Sequence, residues 1–171
     1  MAGKEASDEV AHKLKQNRFK DPIVVIATGF GLGWMPVAPG TAASLAAGAA
    51  YWLLISPLEY WIQAVATSLI CGTSLLVLLA LVRRYGYADA RCVVLDEIAG
   101  VSVAFLFLPF DFWVFVVAFF LFRLFDIWKP MPIGWIDKRL RNALGILLDD
   151  LVAGGMACVI ALAAWKIAVE T

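Results

Sequence analysis

WIQAVATSLICGTSLLVLLALV, residues Trp61 to Val82, contains no charged side chain. At ~1.5 Å per residue, a helix over this run crosses the ~30 Å hydrocarbon core of a bilayer. The rest of the chain is of the same kind. Its 171 residues are 63% hydrophobic, where soluble domains are about half apolar, and the mean hydropathy is +0.84. The formal net charge is zero, and most charges fall in polar segments between long apolar runs. That distribution argues against a nucleic-acid partner. Cys71, Cys92 and Cys158 are far apart and lack C-x-x-C spacing, so they read as free thiols rather than zinc ligands or a disulfide framework. The single histidine, His12, lies in a polar tail without a ligand partner, which leaves no basis for histidine catalysis.

Upstream of this run, a helix is expected from Thr41 to about Ile55, stopped by Ser56 and Pro57. Before it, Thr28 to Gly40 is too rich in Gly and Pro for a regular helix. Ile23 to Ala27 reads as a short strand-like or helical stretch. Downstream, Val93 to Leu108 and Phe112 to Arg123 flank Pro109, Phe110 and Asp111 as the arms of a helical hairpin. Leu151 to Val169 supplies the last helix, with Lys166 able to snorkel to the interface. The expected fold is therefore all-α: a polytopic membrane bundle of four to five embedded helices, including the short hairpin, in one domain over residues 22–171. A soluble all-helical domain is the competing reading. Residues 1–21, with Lys4, Lys13, Lys15, Arg18 and Lys20, lack the apolar region of a cleavable signal and read as a basic cytoplasmic segment. Its later part is either a helix lying on the membrane surface or a disordered tail.

Five helices with a cytoplasmic N-terminus put all but one of the fourteen basic residues on the inside, and none in the turns Ser56 to Tyr60 and Pro109 to Asp111. That is the bias of the positive-inside rule.

The same topology gathers carboxylates. Glu97 and Arg123 lie equally far from Phe110, so antiparallel packing brings Asp96, Glu97, Arg123 and Asp126 to one depth. Asp149 and Asp150, expected to begin the last helix, fall on the same membrane side. Carboxylates at helix starts are favoured by about 0.3 to 1 kcal/mol, which alone accounts for Asp96, Glu97, Asp149 and Asp150. Asp126 follows an apolar helix, where the dipole is unfavourable, and needs Arg123 or Lys129 as partner. Five carboxylates beside apolar segments repel one another, and a divalent cation relieves that. Oxygen donors without histidine or cysteine select Mg²⁺, Mn²⁺ or Ca²⁺, as one ion or two.

GFGLGWMPVAPGT (Gly29 to Thr41) lacks both the G-x-G-x-x-G and the P-loop spacing. It is either a flexible connector or an anion site, in which Gly40, Thr41 and Ser44 at a helix N-terminus hold a phosphate. Lys129 and Arg123 would add phosphate contacts, or else anchor at headgroup level beside Trp128 and Trp135. Asp137 is read as offsetting neighbouring basic residues.

Four ordered stretches, APGTAASLAA (Ala38–Ala47), LDEIAG (Leu95–Gly100), FRLFDIWKPMPIGWIDKR (Phe122–Arg139) and GILLDDLVAG (Gly145–Gly154), resemble the phosphatidylglycerophosphatase A family. The resemblance runs from about residue 22 to 155. It implies a Mg²⁺-dependent phosphatase of the bacterial inner membrane that converts phosphatidylglycerophosphate to phosphatidylglycerol, with its active site at the cytoplasmic face. By motif it carries over the acidic pair Asp96 and Glu97, Asp126 and Lys129, and the pair Asp149 and Asp150; metal ligands are expected among Asp96, Glu97, Asp126, Asp149 and Asp150, and catalytic roles for Arg123, Asp126, Lys129 and Asp150. Ala43, Asn142 and Ala143 depart from the family pattern where glycine is expected, which bears on loop shape rather than on the ligands. Against this stand two other classes of function, a divalent-cation transporter, which predicts carboxylates at mid-bilayer, and a non-catalytic lipid-binding subunit, in which they would be dispensable.

Overall fold

The computed structural model describes residues 10–86, 90–140 and 142–170, with the side chains of residues 137 and 138 left aside. The readings of Lys4, Asp137 and Arg141 therefore lie outside the described part. Its elements are α1 (Pro22–Ala27), a 3₁₀ segment (Gly29–Trp34), α2 (Pro39–Leu54), α3 (Tyr60–Tyr85), α4 (Leu95–Ala104), α5 (Phe112–Trp128), α6 (Ile133–Arg139) and α7 (Ala143–Glu170). The all-helical class holds, with no strand among the described residues.

Two helices are long and apolar enough to cross a membrane, α3 with 26 residues and α7 with 28. That is fewer than the four to five embedded helices expected. The ten residues of α4 rise only ~15 Å, half the hydrocarbon thickness, and α2 and α5 at 16 and 17 residues also fall short of a full span.

Two element boundaries differ from expectation for one reason. α5 runs on past Arg123 to Trp128, and α7 begins at Ala143 rather than Leu151. Asp149 and Asp150 thus lie inside α7 and do not start it. Charges that look like helix boundaries in a sequence are carried here within helices, because partners across the bundle receive them. At the N-terminus, residues 10–16 are helical, with Val10 and Leu14 buried in a core with Ala27, Leu78, Leu81 and Cys92 and with His12, Lys13, Lys15 and Gln16 exposed, so one face of the segment packs on the protein and the other turns outward.

α4 sits at the centre and packs against α7 with unusual closeness. A Cβ on Gly154 would collide with the carbonyl oxygen of Gly100, and one on Gly100 would lie 2.8 Å from the Asp150 carbonyl oxygen. Along α7 the buried face continues through Ala153, Ala157 and Ala161. Small residues let apolar helices approach backbone to backbone, which replaces the hydrophobic drive that lipid does not supply.

Polar side chains tie the other contacts. Tyr51 and Thr67 share a 2.9 Å hydrogen bond between α2 and α3, and Ser74 donates to the Leu95 carbonyl. At the end remote from the carboxylates, buried Gln63 donates to the carbonyls of Ser56 and Leu58 and accepts from the Phe107 amide, locking both turns together.

Candidate active site

The first turn of α4 presents Asp96 and Glu97, and the glycine contact between α4 and α7 sets Asp150 beside them. One carboxylate oxygen from each of these three lies within 4.8 Å of the others. Asp150 is 4% exposed, while Asp96 and Glu97 are half-buried and line a cavity of about 630 Å³. Burial, reinforced by the charge of Glu97, pushes the Asp96 carboxyl well above its ordinary range. Burial likewise raises Glu97, with the neighbouring carboxylates Asp96 and Asp126 opposing each other's influence.

The other wall of the cavity is the glycine-rich stretch. Phe30, Gly29 and Gly31 take positive φ and break it into turns, and Ala38 is also left-handed (φ 44°) before Pro39 opens α2. This shape lays Gly33 against the Cys92 carbonyl and Gly40 against the Glu97 carboxylate, at distances that leave no room for a Cβ. Gly40 therefore packs on a metal-ligand candidate and also lines the cavity.

Arg123, projecting from α5, joins the two walls. Its Nη1 donates to Ser44 Oγ and its Nη2 to Thr41 Oγ1, both at 3.2 Å, and Nη1 pairs with Asp126 Oδ2 at 2.7 Å. Ser44 in turn donates to the Gly40 carbonyl. Asp126 reaches Asp150 by a side-chain hydrogen bond, so it belongs to the carboxylate group although it is not one of the tight trio. Lys129 and Asp149 form a separate pair. Lys129 ends α5 in a left-handed conformation (φ 47°) and places Nζ 2.7 Å from Asp149 Oδ2. Asp149 is 4% exposed and lies outside the trio of candidate ligands.

Two lining residues were not legible as site residues in the sequence. Trp34 reads as part of a connector and Arg91 only as a topology charge, yet both face the cavity. Among the described residues, four buried side-chain polar atoms have no hydrogen-bond partner: Trp34 Nε1, Glu97 Oε2, Arg123 Nε and Trp52 Nε1. The first three belong to residues lining this cavity. Two of them are donors without an acceptor, and one is a carboxylate oxygen that a donor or a cation would satisfy. The donor set Asp96, Glu97 and Asp150 is all hard oxygen, so it fits Mg²⁺ rather than a thiophilic metal. Cys92 is no competitor as ligand or nucleophile, since burial pushes its thiol up to about 11.

A sequence profile described as Phosphatidylglycerophosphatase A matches residues 25–165. The chain is 34% identical over 138 residues to the phosphatidylglycerophosphatase A of Escherichia coli (strain K12), covering 80% of each chain. It is 35% identical over 151 residues to that of Haemophilus influenzae, covering 88% of this chain and 93% of the relative. A Bacteroides thetaiotaomicron protein named "Putative phosphatidylinositol-3-phosphatase" is 36% identical over 152 residues, covering 84% and 94%. No solved structure matches the chain significantly.

Proposed function

The chain belongs to the phosphatidylglycerophosphatase A family and is a lipid phosphatase, and from that premise we propose that it hydrolyses the terminal phosphate monoester of phosphatidylglycerophosphate at the cytoplasmic face of a bacterial inner membrane, with Mg²⁺ as cofactor. The observation that carries this reading is the carboxylate trio of Asp96, Glu97 and Asp150 beside a cavity that Thr41 and Arg123 also line. A divalent cation on the trio and a phosphate monoester beside Arg123 would fit that arrangement.

Asp96, Glu97 and Asp150 would hold the ion, which when bound polarises a phosphoryl oxygen and lowers the pKa of a coordinated water. Arg123 would orient the phosphoryl oxygens and neutralise the charge that develops on them as water attacks phosphorus and the bond to the glycerol oxygen breaks. Thr41, Ser44 and Asp126 fix the guanidinium in one pose, so no reorganisation is needed at the moment of reaction. Asp126, paired with Arg123 and next to Asp150, would take the proton of the attacking water. Lys129 acts at one remove, compensating Asp149 and thereby holding the second turn of α7. The substrate also carries an internal phosphodiester, and Arg91, on the same cavity, is the cation available to it. The shorter apolar helices α2, α4 and α5 would be embedded beside the two spanning ones, and basic residues on the cavity side favour the cytoplasmic orientation.

The test is phosphate release from phosphatidylglycerophosphate in detergent, with Mg²⁺, with EDTA, and for Asp96→Asn and Asp150→Asn. Activity is expected to vanish in EDTA and to fall at least about 100-fold in each variant. Mg²⁺ should raise the thermal stability of the wild-type protein but not of Asp96→Asn. Undiminished turnover in EDTA would sink the reading.

A further inference from the structure

Below the Arg123 clamp, α2 and α5 open into an apolar groove of about 310 Å³. Its walls are two matched helical stripes. On α2, Thr41 and Ser44 are followed at helical spacing by Leu45, Ala49 and Trp52; on α5, Arg123 is followed in the opposite chain direction by Phe119 and Phe115. Each stripe is polar at the cavity end and apolar beyond. The hydrogen bonds from Arg123 to Thr41 and Ser44 fix the register of the two.

The groove is a recess, not merely an apolar face. Its floor is Gly48, where a Cβ would lie 2.9 Å from the ring of Phe105, which itself stacks edge-on with Phe115 at 4.8 Å. Leu45 and Phe120 on its rims are 59% and 66% exposed, so it is open sideways. Trp52, stacked on Phe110, closes the far end about 12 Å along the helix from Ser44.

We propose that this groove is the binding site for one acyl chain of the lipid substrate, which enters sideways from the bilayer and is drawn up until its phosphate reaches the cavity. The inference rests on the phosphatase reading. A lipid whose phosphate lies at Arg123 must carry its hydrocarbon away from a polar cavity, and this groove begins where that cavity ends. It is also nearly free of polar lining atoms. Lipid packed generally around the protein, without a defined seat, is the rival occupant.

Ala49 is exposed in the groove and Ala50 is exposed next to it on α2 but outside the groove. Ala49→Trp fills the recess without touching the buried core, and Ala50→Trp adds the same bulk beside it. With wild-type protein and both variants, KM and kcat are measured for dioleoyl and dibutanoyl phosphatidylglycerophosphate. Ala49→Trp should raise KM for the dioleoyl substrate on the order of tenfold, with kcat and the dibutanoyl KM within about twofold of wild type, and Ala50→Trp should change none of these. No effect of Ala49→Trp, an equal effect on both chain lengths, or the same effect from Ala50→Trp overturns the proposal. A readout independent of turnover uses a dioleoyl analogue with a photoactivatable acyl chain. Its label should concentrate on residues 45–52 and 112–120 and be displaced by excess dioleoyl phosphatidylglycerophosphate but not by phosphatidylcholine. Even labelling of every lipid-facing helix overturns the groove. Specific labelling without phosphate release in the wild type would refute the phosphatase reading alone.

Discussion

Gly40 and Glu97 touch so closely that the hydrogen of glycine is the only side chain the space admits. Gly40→Ala is therefore expected to push the Glu97 carboxylate away from Asp96 and Asp150 and lower phosphate release roughly 10- to 100-fold, while far-UV circular dichroism stays unchanged. A variant with wild-type turnover would show that Glu97 has slack the packing does not suggest. Lys129 and Asp149 make a different kind of contact, a pair in which Asp149 is buried and Lys129 about one-third exposed. Lys129→Ala leaves that carboxylate uncompensated and should cost about 1–3 kcal/mol in thermal unfolding in detergent. Adding Asp149→Asn to it should restore most of the loss, because the buried charge is then gone. At this scale the sequence made Asp96, Glu97 and Asp150 visible, since carboxylates beside apolar runs are costly enough to demand a reason. It could not separate Asp149 from its neighbour Asp150. Consecutive residues on a helix point about 100° apart, and only the packing of α7 tells which one meets α4 and which meets Lys129.

At the scale of elements, the junction of α4 and α7 is what assembles the ligands. Gly154 meets the Gly100 backbone one turn beyond Asp150, so any side chain at 154 must move the helices apart at that point. Gly154→Val should accordingly lower both the unfolding temperature and the activity, and it should abolish the stabilisation by Mg²⁺ that the wild type is expected to have. Retention of that stabilisation would mean that the trio does not depend on this contact. The helices themselves were legible from apolar length, most clearly α3, whose uncharged run exceeds what any other element needs. Their ends were not. Asp149, Asp150 and Arg123 look like boundaries because a charge in an apolar helix is unfavourable in isolation. They are internal because Asp126, Lys129, Thr41 and Ser44 receive them from other elements. The glycine-rich stretch reads in the sequence as either a connector or an anion site, and its turns form one wall of the cavity, which Trp34 also lines.

For the whole molecule, the helix directions put the cavity and the Gln63 clamp at opposite ends, with Arg91 at the first and Glu59 at the second. A cysteine-free background with Arg91→Cys or Glu59→Cys gives a direct check of orientation. Membrane-impermeant maleimide applied to intact cells is expected to modify the cysteine at 59 and to reach the one at 91 only after the membrane is opened. The reverse pattern would overturn the cytoplasmic placement of the cavity. What the sequence determined by itself is the apolar character of the helices and the kind of donor they bring together. Uncharged runs of this length are stable away from water, and the acidic groups beside them, without histidine or cysteine, are hard oxygen donors. Only the tertiary structure decided which carboxylates meet, that α4 is too short to cross, and that Trp34 and Arg91 join the site. These depend on distances between segments far apart in the chain, set by glycine contacts and by polar side chains that reach from one helix to another, and no local pattern of residues encodes such distances.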